Sequence, residues 1–211
     1  HFFYVPQHFG QYDKMNVAEA LGVDSKLKAL KAILKGDASE ENFTVLNEDW
    51  NIEEKVFSAF RQWNIPHIQL FRKMDTISGG EKTKVFLSGI LIHEPDIILM
   101  DEPSNHLDLQ SREKLYNIVE NTKATILVVS HDRALLNLVE LTYELYKDKV
   151  EIYGGNYEFY KEQKENKLNA LHAKLEEKEK SLRAARKLER ETIERKQKMD
   201  ARGKKKSIRS G

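Results

Sequence analysis

An apolar run that ends in two adjacent carboxylates, Ile97-Ile98-Leu99-Met100-Asp101-Glu102-Pro103, is the part of this chain best suited to chemistry. If the run forms a strand, the first acid can hold a magnesium ion and the second can orient or deprotonate an attacking water. A dry strand favours this, because a carboxylate beside apolar walls interacts more strongly with a cation than one in water. Upstream, Ser78-Gly79-Gly80-Glu81 puts a hydroxyl and two glycines at a helix start, where free backbone N–H groups and the helix dipole attract an anion. Ser78 with Glu81 three residues on is equally a capping box that needs no ligand. Downstream come Ser104-Asn105-His106-Leu107-Asp108 and Val128-Val129-Ser130-His131-Asp132. Taken alone, Asp108 is a good N-cap for the helix that follows it.

The elements that must position these groups are legible from periodicity. Residues 2–6 read as the end of a strand leading into Gln7, and residues 16–36 and 48–63 have helical spacing. A helix opens at 76–80, with Val85, Phe86, Ile90 and Leu91 at its apolar positions. Residues 96–100 and 125–129 are short apolar runs rich in β-branched side chains, which predicts strands in a sheet covered on both faces. A helix over 109–121 lies between them. Residues 143–146 and 149–153 read as two strands around a Lys-Asp turn. From 156 to 202 there is no Gly or Pro, which predicts a helix roughly 70 Å long. Its apolar stripe is thin (Leu168, Leu171, Leu175, Leu182, Ala185, Leu188) and is interrupted by Lys178 and Glu189. A helix this polar needs a second arm or an anionic surface to pack on. Gly203-Lys204-Lys205-Lys206 is expected to end it in a flexible basic tip.

The formal net charge of +1 hides an asymmetry. Residues 161–211 carry 18 Lys and Arg against 9 Asp and Glu, whereas the other 160 residues carry 17 against 25. An acidic body with a basic tail points to an anionic partner, with nucleic acid foremost. No run reaches the ~18–20 apolar residues of a membrane span, and the absence of Cys excludes disulfides and thiolate metal sites. The opening His1-Phe2-Phe3-Tyr4-Val5 has no initiator Met and is unlike a signal peptide, so a cut through a strand is expected.

In their order, these motifs resemble the ATP-binding cassette (ABC) ATPases, and more narrowly the ABC-F branch. The resemblance implies that residues 97–102 are the Walker B strand, with Asp101 on Mg²⁺ and Glu102 as the catalytic carboxylate. It implies that Gln7 is the Q-loop glutamine, a second Mg²⁺ ligand, and that His131 is the switch histidine at the γ-phosphate. Ser78, Gly79, Gly80 and Glu81 take the place of the signature motif, which covers the ATP held by an opposite cassette. Ser104–Asp108 resembles the D-loop at the interface of two cassettes, so Asp108 joins the nucleotide-binding set; the other histidines, His93 and His106 among them, receive no catalytic role. The Gly-Asn-Tyr element at 155–157 resembles the opening of the linker between the two ABC-F cassettes, which implies a chain that runs from the Q-loop of the first cassette into that linker. No Gly-x-x-x-x-Gly-Lys-Ser/Thr is present, since the sole Gly-Lys pair is Gly203-Lys204.

The implied fold is α/β, a partial P-loop NTPase of ABC type without its P-loop segment. It has a mostly parallel sheet and a helical subdomain at about 14–92, and it is followed by a long helical linker arm. The implied domains are 1–155, the partial ATPase, and 156–211, the basic arm. The implied function is cytoplasmic: ATP binding and hydrolysis coupled to the ribosome and translation, with a second ABC domain and RNA as partners and no membrane insertion. The alternatives are an ATPase subunit of an ABC transporter and a non-transport ABC ATPase of the DNA repair or chromosome class. Without a P-loop, the chain alone is expected to bind MgATP weakly and to be inactive.

Overall fold

The computed structural model describes residues 1–207, which divide into two compact units between Glu140 and Leu141. In the first, β1 (Phe2–Val5), β2 (Ile97–Asp101) and β3 (Thr125–Val129) form a parallel sheet in that order. Val5 pairs with Met100, and Asp101 pairs with Val129, so the carboxyl ends of all three strands share one edge. Between β1 and β2 lie α1 (Val17–Ala20), α2 (Asp24–Leu34), α3 (Glu40–Leu46), α4 (Ile52–Gln62) and α5 (Gly79–His93). α6 (Leu109–Asn121) joins β2 to β3, and α7 (Arg133–Leu136) follows β3. Trp63, Phe60, Phe86, Leu27 and Met74 are fully buried between these helices, giving the helical part its own share of the core.

The sheet is covered on one face only, which corrects the expectation of a two-sided cover. Phe3, Val5, Ile98, Met100, Ile126 and Val128 point to the core, while Phe2, Tyr4, Ile97, Leu127 and Val129 are exposed. The cause is topological. The chain moves across the sheet in one direction, β1 to β2 to β3, and right-handed crossovers then lay their helices on the same side.

Two further differences concern the helical region. The span 16–36 is not one helix. It breaks at Gly22, whose φ of +72° lies in the left-handed region, and restarts as α2. α3 carries no signal in the sequence, because Phe43, Val45 and Leu46 are too few to show a helical period.

In the second unit, β4 (Thr142–Tyr146) and β5 (Lys149–Tyr153) form an antiparallel hairpin, followed by α8 (Tyr157–Ser207). Asn156 caps α8 by accepting the Phe159 N–H at 3.2 Å. The hairpin grips its first turns. Glu144 is paired with Lys164 and accepts the Tyr160 O–H, Glu151 is paired with Lys167, and the rings of Tyr153 and Tyr160 meet edge to face. Beyond Lys167 the described side chains of α8 are exposed. The helix runs through Gly203 to Ser207, so the expected end at Gly203 is not seen; a lone glycine keeps its N–H and only weakens a helix of Lys and Arg. Residues 208–211 of the expected tip lie outside the described residues. Among those described, no helix is long and apolar enough to cross a membrane.

Candidate functional site

The parallel register brings the strand-end residues together. Asp101 closes β2, and Glu102 follows in a left-handed conformation with φ of +47°, its N–H bonded to the Val129 carbonyl at 2.8 Å. Such a backbone is uncommon for a non-glycine residue and is held here by the neighbouring strand. It turns the Glu102 carboxylate toward the residues after β3. Glu102 Oε2 accepts the His131 N–H at 3.4 Å, and Oε1 lies 3.7 Å from His131 Nε2. The two side chains differ sharply in exposure: Glu102 retains 10% and His131 is fully open. A sheltered carboxylate beside an open imidazole borders a polar cavity of about 450 Å³, lined also by Ser104, Asn105, Arg112 and Asp132. Gln7 stands half-buried just past the end of β1, on this same edge of the sheet.

Asp132 anchors the far wall. It caps α7 by accepting the N–H groups of Ala134 and Leu135, and it accepts the Tyr116 O–H at 2.7 Å. Burial pushes its carboxyl up, but these three bonds outweigh that and leave it below the usual range. Tyr116 responds in the opposite sense, raised to about 12 by burial and by its bond to Asp132. Tyr116 belongs to no motif in the sequence, and only the fold brings this α6 residue to Asp132.

Ser78, Gly79, Gly80 and Glu81 do not line this cavity. They open α5, where Ser78 and Glu81 form a reciprocal capping box: Glu81 Oε2 accepts both the N–H and the O–H of Ser78 at 2.8 Å. The segment 104–108 packs directly on this motif. A Cβ on Gly80 would sit 2.8 Å from the His106 carbonyl oxygen, and one on Gly79 would touch the His106 ring at 3.9 Å. Asp108 caps α6 through the Ser111 N–H and pairs with Lys84 of α5 at 2.8 Å. The Lys84 ammonium, ahead of the Ser111 bonds, holds the Asp108 carboxyl well below the usual range. His106, to which the sequence assigned no role, therefore contacts the Gly-Gly pair through its backbone. No side-chain pattern could reveal that.

Among the described residues no group of three or more His, Cys, Asp or Glu could hold a metal. The half-buried Asp101 carboxylate and the Gln7 amide nevertheless suit magnesium, which keeps waters and phosphate oxygens and needs few protein ligands. A larger, more apolar cavity of about 640 Å³, walled by Trp63, Ile90, Ile98 and Ile118, contains none of these residues.

The strand order, the acid pair and the capped Ser-Gly-Gly helix define an ABC-type α/β cassette fold. The ABC transporter family model matches residues 1–105, and the chain belongs to the ABC ATPases, a family that hydrolyses ATP. The chain is 40% identical over 125 residues to YkpA of Bacillus subtilis, an uncharacterized ABC transporter ATP-binding protein, covering 58% of this chain and 23% of YkpA. It is 32% identical over 167 residues to the energy-dependent translational throttle protein EttA of Mycobacterium tuberculosis, covering 72% of this chain and 30% of EttA. ABC transporter F family member 5 of Arabidopsis thaliana is 30% identical over 181 residues, covering 84% of this chain and 24% of that protein. The chain thus spans less than a third of the length of these relatives. The solved ATP-binding subunit of an ABC transporter superposes with a TM-score of 0.54 at 22% identity, covering 82% of this chain and 68% of that one.

Proposed function

We propose that this chain is the latter part of a cassette of a cytoplasmic ABC-F ATPase, together with its linker arm, and that the whole protein couples ATP binding and hydrolysis to action on the ribosome. The observation that carries the catalytic half is the sheltered Glu102 carboxylate facing open His131 across a polar cavity at the strand ends. Glu102 is the general base that takes a proton from the attacking water. His131 sits where a γ-phosphate oxygen would arrive and steadies it by hydrogen bonding. Asp101 and Gln7 would hold Mg²⁺, which would neutralise phosphate charge when bound. Ser78, Gly79, Gly80 and Glu81 face the nucleotide of a second cassette, and Asp108 fixes the loop between them by its pair with Lys84.

The arm carries the ribosomal half of the reading. A 51-residue helix whose described side chains beyond Lys167 are exposed, in a tail with a basic surplus, favours a polyanionic partner over a folded protein core. A transporter subunit has no use for such a helix, and a chromosome-type ATPase carries its long coiled coil inside the cassette. The likeness to EttA and to ABC transporter F family member 5 supports the same branch. The test is salt-dependent ribosome co-sedimentation of the full-length protein with Lys204, Lys205 and Lys206 changed to Glu. Binding should weaken and its salt dependence should flatten, while basal ATPase activity is kept. Unchanged co-sedimentation at every salt concentration would remove the electrostatic argument for this partner.

A further inference from the structure

Glu81 does more than cap α5. One carboxylate oxygen, Oε2, accepts from the Ser78 N–H and O–H, and the other, Oε1, lies 2.8 Å from His67 Nε2. A carboxylate can only accept, so His67 Nε2 must carry the hydrogen. Three groups from two separate segments are thereby chained in order: His67 from the loop after α4, Glu81 inside the first turn of α5, and Ser78 at its N-cap. Lys82, next along α5, is held in the same way by Asp13 at 2.7 Å, which leaves the first turn of the helix braced from two sides. The Glu81 carboxyl is pulled down to about 2, first by His67 and then by the two Ser78 bonds, against the opposing effect of burial. His67 itself is 59% exposed and fills no core position.

We propose that His67 is a positioning residue for the Ser78 hydroxyl, acting through Glu81; this rests on the reading that Ser78 meets the phosphate held by a second cassette. A carboxylate tied at one oxygen only can swing between rotamers. Tied at both, it stays in the capping rotamer and keeps Ser78 Oγ at the helix end, level with the free amides of Gly79 and Gly80. His67 makes no contact with phosphate in this scheme. Its loss therefore weakens assembly of the site and leaves the Glu102 chemistry of its own cassette untouched.

The test is steady-state ATP turnover by the full-length protein carrying His67→Leu, His67→Gln or Ser78→Ala. His67→Gln keeps a donor toward Glu81, whereas His67→Leu keeps the bulk and removes the bond. We expect His67→Leu to raise KM for ATP by ~5-fold with kcat within about 2-fold, Ser78→Ala to raise KM at least as much, and His67→Gln to restore KM. A raised KM in Ser78→Ala with none in His67→Leu overturns the positioning role while leaving the Ser78 reading intact. No KM change in Ser78→Ala overturns the Ser78 reading itself. An equal KM rise in both His67 variants, or a fall in kcat alone, overturns the proposal by showing that the bond to Glu81 is not what matters.

Discussion

The carbonyl oxygen of His106 lies 2.8 Å from the point a Cβ on Gly80 would occupy, so the loop after the acid pair rests directly on the Gly-Gly helix start. The obstacle is backbone, which moves only with the whole loop. The Lys84–Asp108 pair holds the same two segments together one turn further on. Whatever displaces the Ser78–Glu81 motif must also displace residues 104–108, which descend straight from Asp101 and Glu102.

Gly80→Ala should therefore destabilise the chain by roughly 1–3 kcal/mol, as overpacking against a fixed neighbour does. Gly79→Ala, whose new methyl would meet only the His106 ring at 3.9 Å, should be neutral or slightly stabilising because alanine is the better helix former. Urea denaturation of the two variants beside the unaltered chain measures the difference. Equal stability of the two would contradict the close approach.

The Glu81 carboxyl should titrate near 2, followed by carbon-13 NMR, and should move back toward 4.5 in His67→Leu. The folded value lies below the unfolded one, so the bonds of Glu81 contribute stability that is fully present above about 4.5. That contribution is lost as pH falls from there toward about 2. A value near 4.5 in the unaltered chain would mean that the capping box and the His67 contact do not persist in solution.

Much of this arrangement could be read from residue types and spacing. β2, β3 and α6 announce themselves because continuous β-branched runs and a period of 3.6 survive any tertiary context. The Glu102–His131 approach follows once β2 and β3 are paired in parallel, since Asp101 opposite Val129 puts the next residues side by side. Other features were not legible, for specific reasons. The bare face of the sheet depends on crossover direction, which strand sequences do not encode. The His106 contact is made by a carbonyl common to every residue. His67 reaches Glu81 across a loop that carries no periodic signal, so its partner was invisible until the loop was folded.

The uncovered face, with Leu127 at 56% and Val129 at 59% exposure, is apolar enough to attract a hydrophobic dye. The chain should enhance anilinonaphthalene sulfonate fluorescence at neutral pH, and Leu127→Lys should reduce that enhancement substantially while leaving the far-UV circular dichroism unchanged. An undiminished signal in Leu127→Lys would place the dye elsewhere, the cavity beside Trp63 being the alternative.

Glu102→Gln in the full-length protein, with the second nucleotide site inactivated, tests the assigned chemistry most directly. The substitution keeps the shape at the end of β2 and removes the carboxylate proposed as the base. Turnover at this site should fall by roughly 100-fold or more while MgATP remains bound, as expected when a positioned general base is lost. Hydrolysis at the unaltered rate would contradict the assignment of Glu102 as that base.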